Sequence, residues 1–502
     1  MQEGIIEARY TKLKGPREAY LQRARASASV TIPSLFPKEG TTGETQFRTP
    51  HQSFGARAVN TLSAKIVLTL LPPNQPFFRT TIDESDLPGD LTEETYGEIE
   101  QKLSDIETMA TRELDTKEIR PVAEEASLQL LVAGNGLLFV GEDSVKFYRL
   151  DKYVVDRDGM GKVREMIICE PISLEDVPKH LRSQIESTKV SMPSQNKDHI
   201  KLYTRIRRNG NHWVLEQEIN GIPDPKARTT YPLKRLPYVP LRMIRVDGEN
   251  YGRGYVEQYL GDLKSLEVLS KAINEGTMAA ARLIYLRNPN SSIKTKALVN
   301  APNGGFVDGN ADDVTALQMG KHADFNQARQ RMAEIVEGLS AAFLMNSSLT
   351  RQAERVTATE IRAMAQELET VLGGVYALLA SEFQLPLVEV LLGQLQREGK
   401  MPEFPDGVMK PQILTGIAAL GRTQELDKLR VLLEYLAPFG PEVVASNMEV
   451  DEYIARVTAA LSIDPKGLIP TSEQKQQRQQ TAQLEQLAQT LGPQAMQQMG
   501  NQ

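Results

Sequence analysis

Apolar residues recur every three or four positions through much of this 502-residue chain, and each such stretch predicts a helix. Ile5, Ile6, Tyr10, Leu13 and Leu21 mark one within residues 1–30. Phe54, Ala58, Leu62, Ile66 and Leu70 mark a second, stopped by Pro72 and Pro73, which lack the N–H a helix needs. Ile99, Leu103, Ile106, Met109 and Leu114 mark a third, and a fourth follows Pro121 and ends near Gly134. The texture then changes to short β-branched and aromatic runs: Leu137–Val140, Lys146–Leu150, Tyr153–Asp156 and Val163–Cys169. Asp158-Gly159 lies between two of them and Asn209-Gly210 between Tyr203–Arg207 and His212–Ile219, so two antiparallel hairpins are expected. Pro171–Asp198, between the hairpins, reads as a polar excursion.

From Tyr251 the helical period returns. Val256, Tyr259, Leu260, Leu263, Leu266, Leu269 and Ile273 form one stripe; Phe325, Ala328, Met332, Ile335, Val336, Leu339 and Phe343 form another. Between them, Arg282–Lys321 carries Asn288-Pro289-Asn290, Pro302 and Gly304-Gly305, so it is no continuous helix and reads as strands and turns. Two helices bracketing a small module make a helical hairpin with a tip. Asn346–Arg355 is a polar break with no apolar repeat. Thr357-Ala-Thr-Glu360 then supplies a capping box, and Ile361, Met364, Leu368, Leu372, Val375 and Leu379 predict a long amphipathic helix. Further helices are expected at Thr423–Leu436 and Pro441–Leu461, and a fraying one in Thr471–Gln502, where twelve residues are Gln. The fold class is α+β, predominantly helical, and no internal repeat is visible.

The 40% hydrophobic content suffices for real cores. The apolar run Ile66–Leu71, broken only by Thr69, is far below the roughly 20 residues of a membrane span. The first residues lack the apolar region of a secretory signal. The single cysteine, Cys169, forms no internal disulfide, which fits a reducing compartment such as bacterial cytoplasm. The formal net charge of −7 disfavours a protein that grips DNA tightly, because such affinity comes from neutralising phosphates.

Catalytic signatures are sparse. Gly134-Asn135-Gly136 and Gly252-Arg253-Gly254 lack the third glycine of a dinucleotide fingerprint and read as turns; no GxxxxGK[ST] loop exists, which argues against a nucleotide-driven motor. Asp312-Asp313 and Glu124-Glu125 are adjacent pairs whose side chains diverge, and nothing forces carboxylates to converge on a metal. There is no GxSxG, Cys169 has no nearby His, and five scattered histidines offer no metal-ligand spacing. No enzyme activity, cofactor or metal is expected.

Several segments carry a resemblance: TIPSLFPK (Thr31–Lys38), GARAVNTLSAKIVLTLLP (Gly55–Pro72), LVAGNGLLFV (Leu131–Val140), Pro237–Glu267, ADFNQA (Ala323–Ala328) and Ala342–Gln396. In this order they resemble the portal proteins, or head-to-tail connectors, of short-tailed double-stranded DNA phages, and they span most of the chain. The resemblance implies a ring, a dodecamer at the capsid vertex, with a wing at 1–250 and a first stem helix at 251–281. A clip follows at 282–321, a second stem helix at 322–343 and a channel loop at 344–356. A long wing helix at 357–409 and a helical crown with a Gln-rich tail at 410–502 complete the subunit. Stem helices of about 25–30 residues would be about 40 Å long.

In the channel loop, Arg351 and Arg355 would meet phosphates transiently, Glu354 would hold the local charge near neutral, and Asn346, Ser347 and Ser348 would hydrogen-bond without charge. An ordinary exposed connection between two helices satisfies the same residues. In the clip, Arg282, Arg287, Lys294 and Lys296 lie in a stretch with no acid from Ala281 to Ala301; they are either a solvated face or a docking site for motor and tail. Leu263, Leu266, Ile335 and Leu339 are the expected stem packing, and aspartate at Leu263 and Leu266 is expected to abolish assembly. The implied partners are other copies of the chain, major capsid and scaffolding proteins, the terminase motor, a tail adaptor, internal core proteins and double-stranded DNA passing through non-specifically, with no membrane. The implied location is the virion, after assembly in the host bacterial cytoplasm. The alternatives are a capsid-associated adaptor or scaffold without a channel and a DNA-processing enzyme.

Overall fold

The computed structural model describes residues 4–38, 40–41, 43–73, 77–82, 93–190, 200–280, 284–291, 293–308, 310–317, 322–345, 358–401, 409–413, 429–436, 438, 453–454 and 457. The chain divides into two units, Met1–Gly416 and Ile417–Gln502.

The first unit opens with α1 (Ile5–Ser29), which continues through Pro16. Its first turn has no side-chain cap of its own; the Glu218 carboxylate accepts the Ile6 and Glu7 N–H groups at 2.9 and 3.1 Å instead. Ile5, expected on the apolar face, is 81% exposed, because only Ile6 and Tyr10 of that turn reach the sheet. Arg17, 1% exposed, donates through one guanidinium nitrogen to the carbonyls of Leu150, Asp151 and Tyr153, so backbone oxygens gather around a buried cation. Helices α2 (Phe54–Leu70) and α3 (Glu93–Thr116) follow as their stripes predict, and α4 (Ile119–Ala133) begins two residues before Pro121 rather than after it, the ring being tolerated in the first turn. Phe54, Ala58, Leu62, Ile66 and Leu70 are all buried in the main core.

Strands β2 (Asn135–Val140), β3 (Val145–Arg149) and β9 (Tyr238–Arg242) form a small antiparallel sheet in the order β3-β2-β9. Strands β4 (Tyr153–Arg157), β5 (Val163–Ile172), β6 (Ile200–Asn209), β7 (His212–Ile219) and β8 (Ile222–Pro232) form a five-stranded antiparallel meander. Both hairpins expected at Asp158-Gly159 and Asn209-Gly210 are present. The excursion Pro171–Asp198 is not irregular throughout: β5 runs to Ile172 and α5 spans Lys179–Val190. Leu181 and Ile185, one turn apart, bury against Val177, Ile200 and Ile219 in a core of their own.

Glycines at two points hold the start of β2 against the chain around Arg253. Gly134 has φ 74°, and a Cβ there would stand 2.2 Å from the Arg253 carbonyl carbon; one on Gly254 would stand 2.5 Å from the Val132 oxygen. Asn135 stitches the approach, accepting the Gly252 N–H at 2.6 Å and donating to the Gly252 carbonyl at 2.7 Å. The partial phosphate-loop patterns are therefore sites of backbone-to-backbone packing.

The long helix expected at 357–409 is divided. Helix α10 (Ala358–Leu372) stops at Gly373, whose φ of 54° and ψ of −129° suit glycine alone. Helix α11 (Gly374–Leu379), a π-helical turn (Ala380–Gln384) and α12 (Leu385–Arg397) continue from there. The π turn is pinned where Arg242 forks Glu382, and Gln384 donates to the Leu70 carbonyl at 2.6 Å. Gly374–Arg397 is long and apolar enough by composition to cross a membrane, yet Leu387, Val388, Leu391 and Leu395 lie in the core, and a buried core helix carries the same pattern. Residues 409–413, placed in a helical region by the sequence, form β12 (Met409–Ile413), which pairs with β1 (Phe78–Ile82). In the second unit, residues 429–436 are helical and Tyr453 donates to the Leu429 carbonyl at 3.5 Å. The Gln-rich tail and almost all of Pro441–Leu461 lie outside the described residues.

Candidate functional site

The predicted helical hairpin is present. A short helix, α6 (Tyr255–Gln258), precedes α7 (Leu260–Ala280), and α9 (His322–Ala342) returns beside α7. Both α7 and α9 have 21 residues, so each is about 32 Å long, shorter than the sequence suggested. At the base, Leu263, Leu266, Ile335 and Leu339 are buried in the main core. Phe343 meets the rings of Tyr255 and Tyr259, each at 5.4 Å, and the Tyr255 hydroxyl donates to the Ala342 carbonyl at 2.9 Å. The Glu267 carboxylate accepts the backbone N–H groups of His51 and Gln52, fastening the segment ahead of α2 to α7.

Beyond Ser270 the pair leaves the core. From residue 271 to 280 no residue of α7 is buried, and Val268 and Met278 are 66% and 65% exposed. The tip joins β10 (Ile284–Arg287) to β11 (Val314–Leu317), with α8 (Thr295–Asn300) between them. Ile293 is its one buried apolar side chain among the described residues, while Tyr285, Leu286, Val299 and Phe306 are exposed. A module this small has no core to hide them in.

The candidate docking residues of the tip divide. Arg287 donates to the Ile293 carbonyl at 2.9 Å and so braces the module, whereas Lys294 and Lys296 are exposed at the start of α8. Arg282 lies outside the described residues, as do Asn346, Ser347, Ser348, Arg351, Glu354 and Arg355. The segment 346–357 is flanked by described residues on both sides. Helix α9 ends with Leu344 at φ 54°, and the Met345 N–H bonds to the Ser340 carbonyl at 2.9 Å, a left-handed helix end usually given to glycine. The Leu344 carbonyl accepts from Lys65 of α2 at 2.6 Å.

Lys65 is the residue of this region that no sequence motif singles out. It stands three positions after Leu62 and one before Ile66, on the buried side of α2, and an ionisable residue among apolar ones was its signal. Chemistry outside this region is meagre. Among the described residues no group of three or more His, Cys, Asp or Glu is placed to hold a metal. Burial pushes the Cys169 thiol up, away from the reactive thiolate.

A family model described as bacteriophage head to tail connecting protein matches residues 3–469. The chain belongs to this family. It is 38% identical to the portal protein of Escherichia phage T7, over 93% of this chain and 89% of that one. It is 38% identical to the portal protein of Enterobacteria phage T3, over 94% and 90%, and 31% identical to that of Enterobacteria phage SP6, over 95% and 92%.

Proposed function

We propose that the chain is a portal subunit: a structural, non-enzymatic protein that assembles into a ring at the capsid vertex. The observation that carries this reading is the hairpin itself. Helices α7 and α9 leave the core and end in a tip whose apolar residues, Tyr285, Leu286, Val299 and Phe306, are exposed. Neighbouring copies meeting head-to-tail would cover such surfaces, and a heterologous contact whose rotation closes generates a ring. In this reading residues 1–250 form the wing, α7 and α9 the stem, 282–321 the clip and 410–502 the crown.

DNA would enter through the ring during packaging, be retained by it, and leave through it at ejection. Channel contact falls to 344–356, with Arg351 and Arg355 touching phosphates and Glu354 moderating them. The clip, through Arg282, Lys294 and Lys296, would dock the terminase motor and later the tail adaptor. Capsid, scaffolding and internal core proteins would meet the outer surfaces. A net charge of −7 suits a conduit that touches DNA weakly. Twelve subunits, and assembly in the host cytoplasm before incorporation into the virion, complete the proposal.

Deleting Asn346–Arg351 tests it. Rings should form as in the parent, while packaging or retention of DNA falls in phage supplied with the variant. Loss of the rings would instead make the segment a structural element, and unchanged packaging and retention would remove it from the channel.

A further inference from the structure

The described chain on both sides of the segment 346–357 touches one residue. Lys65 of α2 is 4% exposed. Its ammonium donates to the Leu344 carbonyl at 2.6 Å and stands 3.7 Å from the Glu367 carboxylate of α10. Leu344 is two residues before the segment, and Glu367 lies in the third turn of the helix after it. The left-handed backbone at Leu344 disfavours a leucine, so neighbouring structure must hold it there. Among the described residues the buried Glu367 Oε2 atom has no hydrogen-bond partner, and Lys65 stands close enough to offset its charge. Burial lowers the Lys65 pKa, and Glu367 partly opposes that.

Helix α2 is a rigid base for such a contact. Besides Lys65, it accepts from Tyr376 at the Thr69 carbonyl, 3.3 Å, and from Gln384 at the Leu70 carbonyl, 2.6 Å. These two contacts hold the chain after Gly373; Lys65 reaches the helix before it. We propose that Lys65 is a positioning residue for the channel segment, tying the end of α9 through Leu344 and α10 through Glu367 to α2. It sets where the chain leaves the stem and where α10 starts. The functional consequence rests on the reading of 344–356 as the channel loop.

Hydrogen exchange on assembled protein, compared with DNA retention in phage carrying the same variants, tests the proposal. Lys65→Met and Glu367→Gln should each raise amide exchange in α10 about tenfold, the scale expected when a buried charge loses its partner. The double variant should add little to Lys65→Met, which already removes the Glu367 contact, and should exceed Glu367→Gln by what the Leu344 hydrogen bond contributes. Amides of α4 and β6 should stay at parent rates, and Lys65→Arg should restore much of the protection. Glu367 is partly exposed, so Glu367→Gln remains informative if Lys65→Met fails to fold. Unchanged exchange in α10, or a rise spread equally over α2, α4 and β6, overturns the proposal and leaves Lys65 as core support. A local rise accompanied by lower DNA retention supports both the tether and the channel. A local rise with parental packaging and retention supports the tether and counts against the channel reading alone.

Discussion

The Phe325 ring of α9 occupies the space a side chain on Gly276 of α7 would need: a Cβ there would stand 2.5 Å from the ring. Helices α7 and α9 approach closely beyond the core because one of them has no side chain at that point. Gly276→Val should splay the hairpin and lower stability by about 1–3 kcal/mol, the usual cost of overpacking. Phe325→Ala in the same chain should restore much of the loss. Thermal melting of the three proteins checks this, and a neutral Gly276→Val would show that the ring simply swings aside.

Leu263 and Leu266 cannot report on assembly, although their stripe suggested it. They are 0% and 1% exposed inside the chain's own core, so aspartate there acts through folding. Leu266→Ala should cost about 2–5 kcal/mol by cavity formation. The interface test moves to the exposed positions. Val268→Asp and Met278→Asp should leave the subunit's melting temperature within a few degrees and reduce the ring fraction at least tenfold by sedimentation. Rings at parental yield would free this face of α7 from any contact.

Arg242 and Glu382 join β9 to the π turn, with Arg242 3% exposed. Removing one member leaves a buried charge unpaired, so Glu382→Ala should cost about 3–5 kcal/mol in chemical denaturation. Replacing the two together, by methionine and leucine, should recover most of it. Equal losses for single and double variants would mean that packing alone holds the turn.

Burial pushes the Glu389 carboxyl up, with Lys234 partly offsetting it. Its folded pKa therefore lies above its unfolded one, and the protonated form is favoured in the fold. The stabilising contribution is fully present below the unfolded pKa, about 4.3, and is lost as pH rises through the folded value. Glu389→Gln should melt higher than the parent near neutral pH, and the difference should shrink on acidification. Melting curves from pH 3 to 8 measure this, and a constant difference would assign it to packing.

The helices with strong stripes were legible because one face of each is buried: α2, α7 and α9 stand where Leu62, Leu266 and Ile335 place them. Both hairpins were legible from Asp158-Gly159 and Asn209-Gly210. β8 was not, because it is a polar edge strand holding Pro223 and Pro225, and β1 and β12 were not, because they pair more than 300 residues apart. The division of the long helix was hidden because Gly373 and Gly374 are tolerated in a helical pattern, and only the backbone shows the break. Of the candidate site, the hairpin and tip were readable from period and punctuation. Lys65 was not, because its meaning lies in Leu344 and Glu367, which are brought to it by tertiary contact.

The most direct measurement of the central claim is electron microscopy of the purified protein, with class averages of end-on views. A portal subunit should give rings with a central hole wide enough for duplex DNA. Monomers or solid particles, persisting at the concentrations at which the protein is handled, would contradict it and favour an adaptor without a channel.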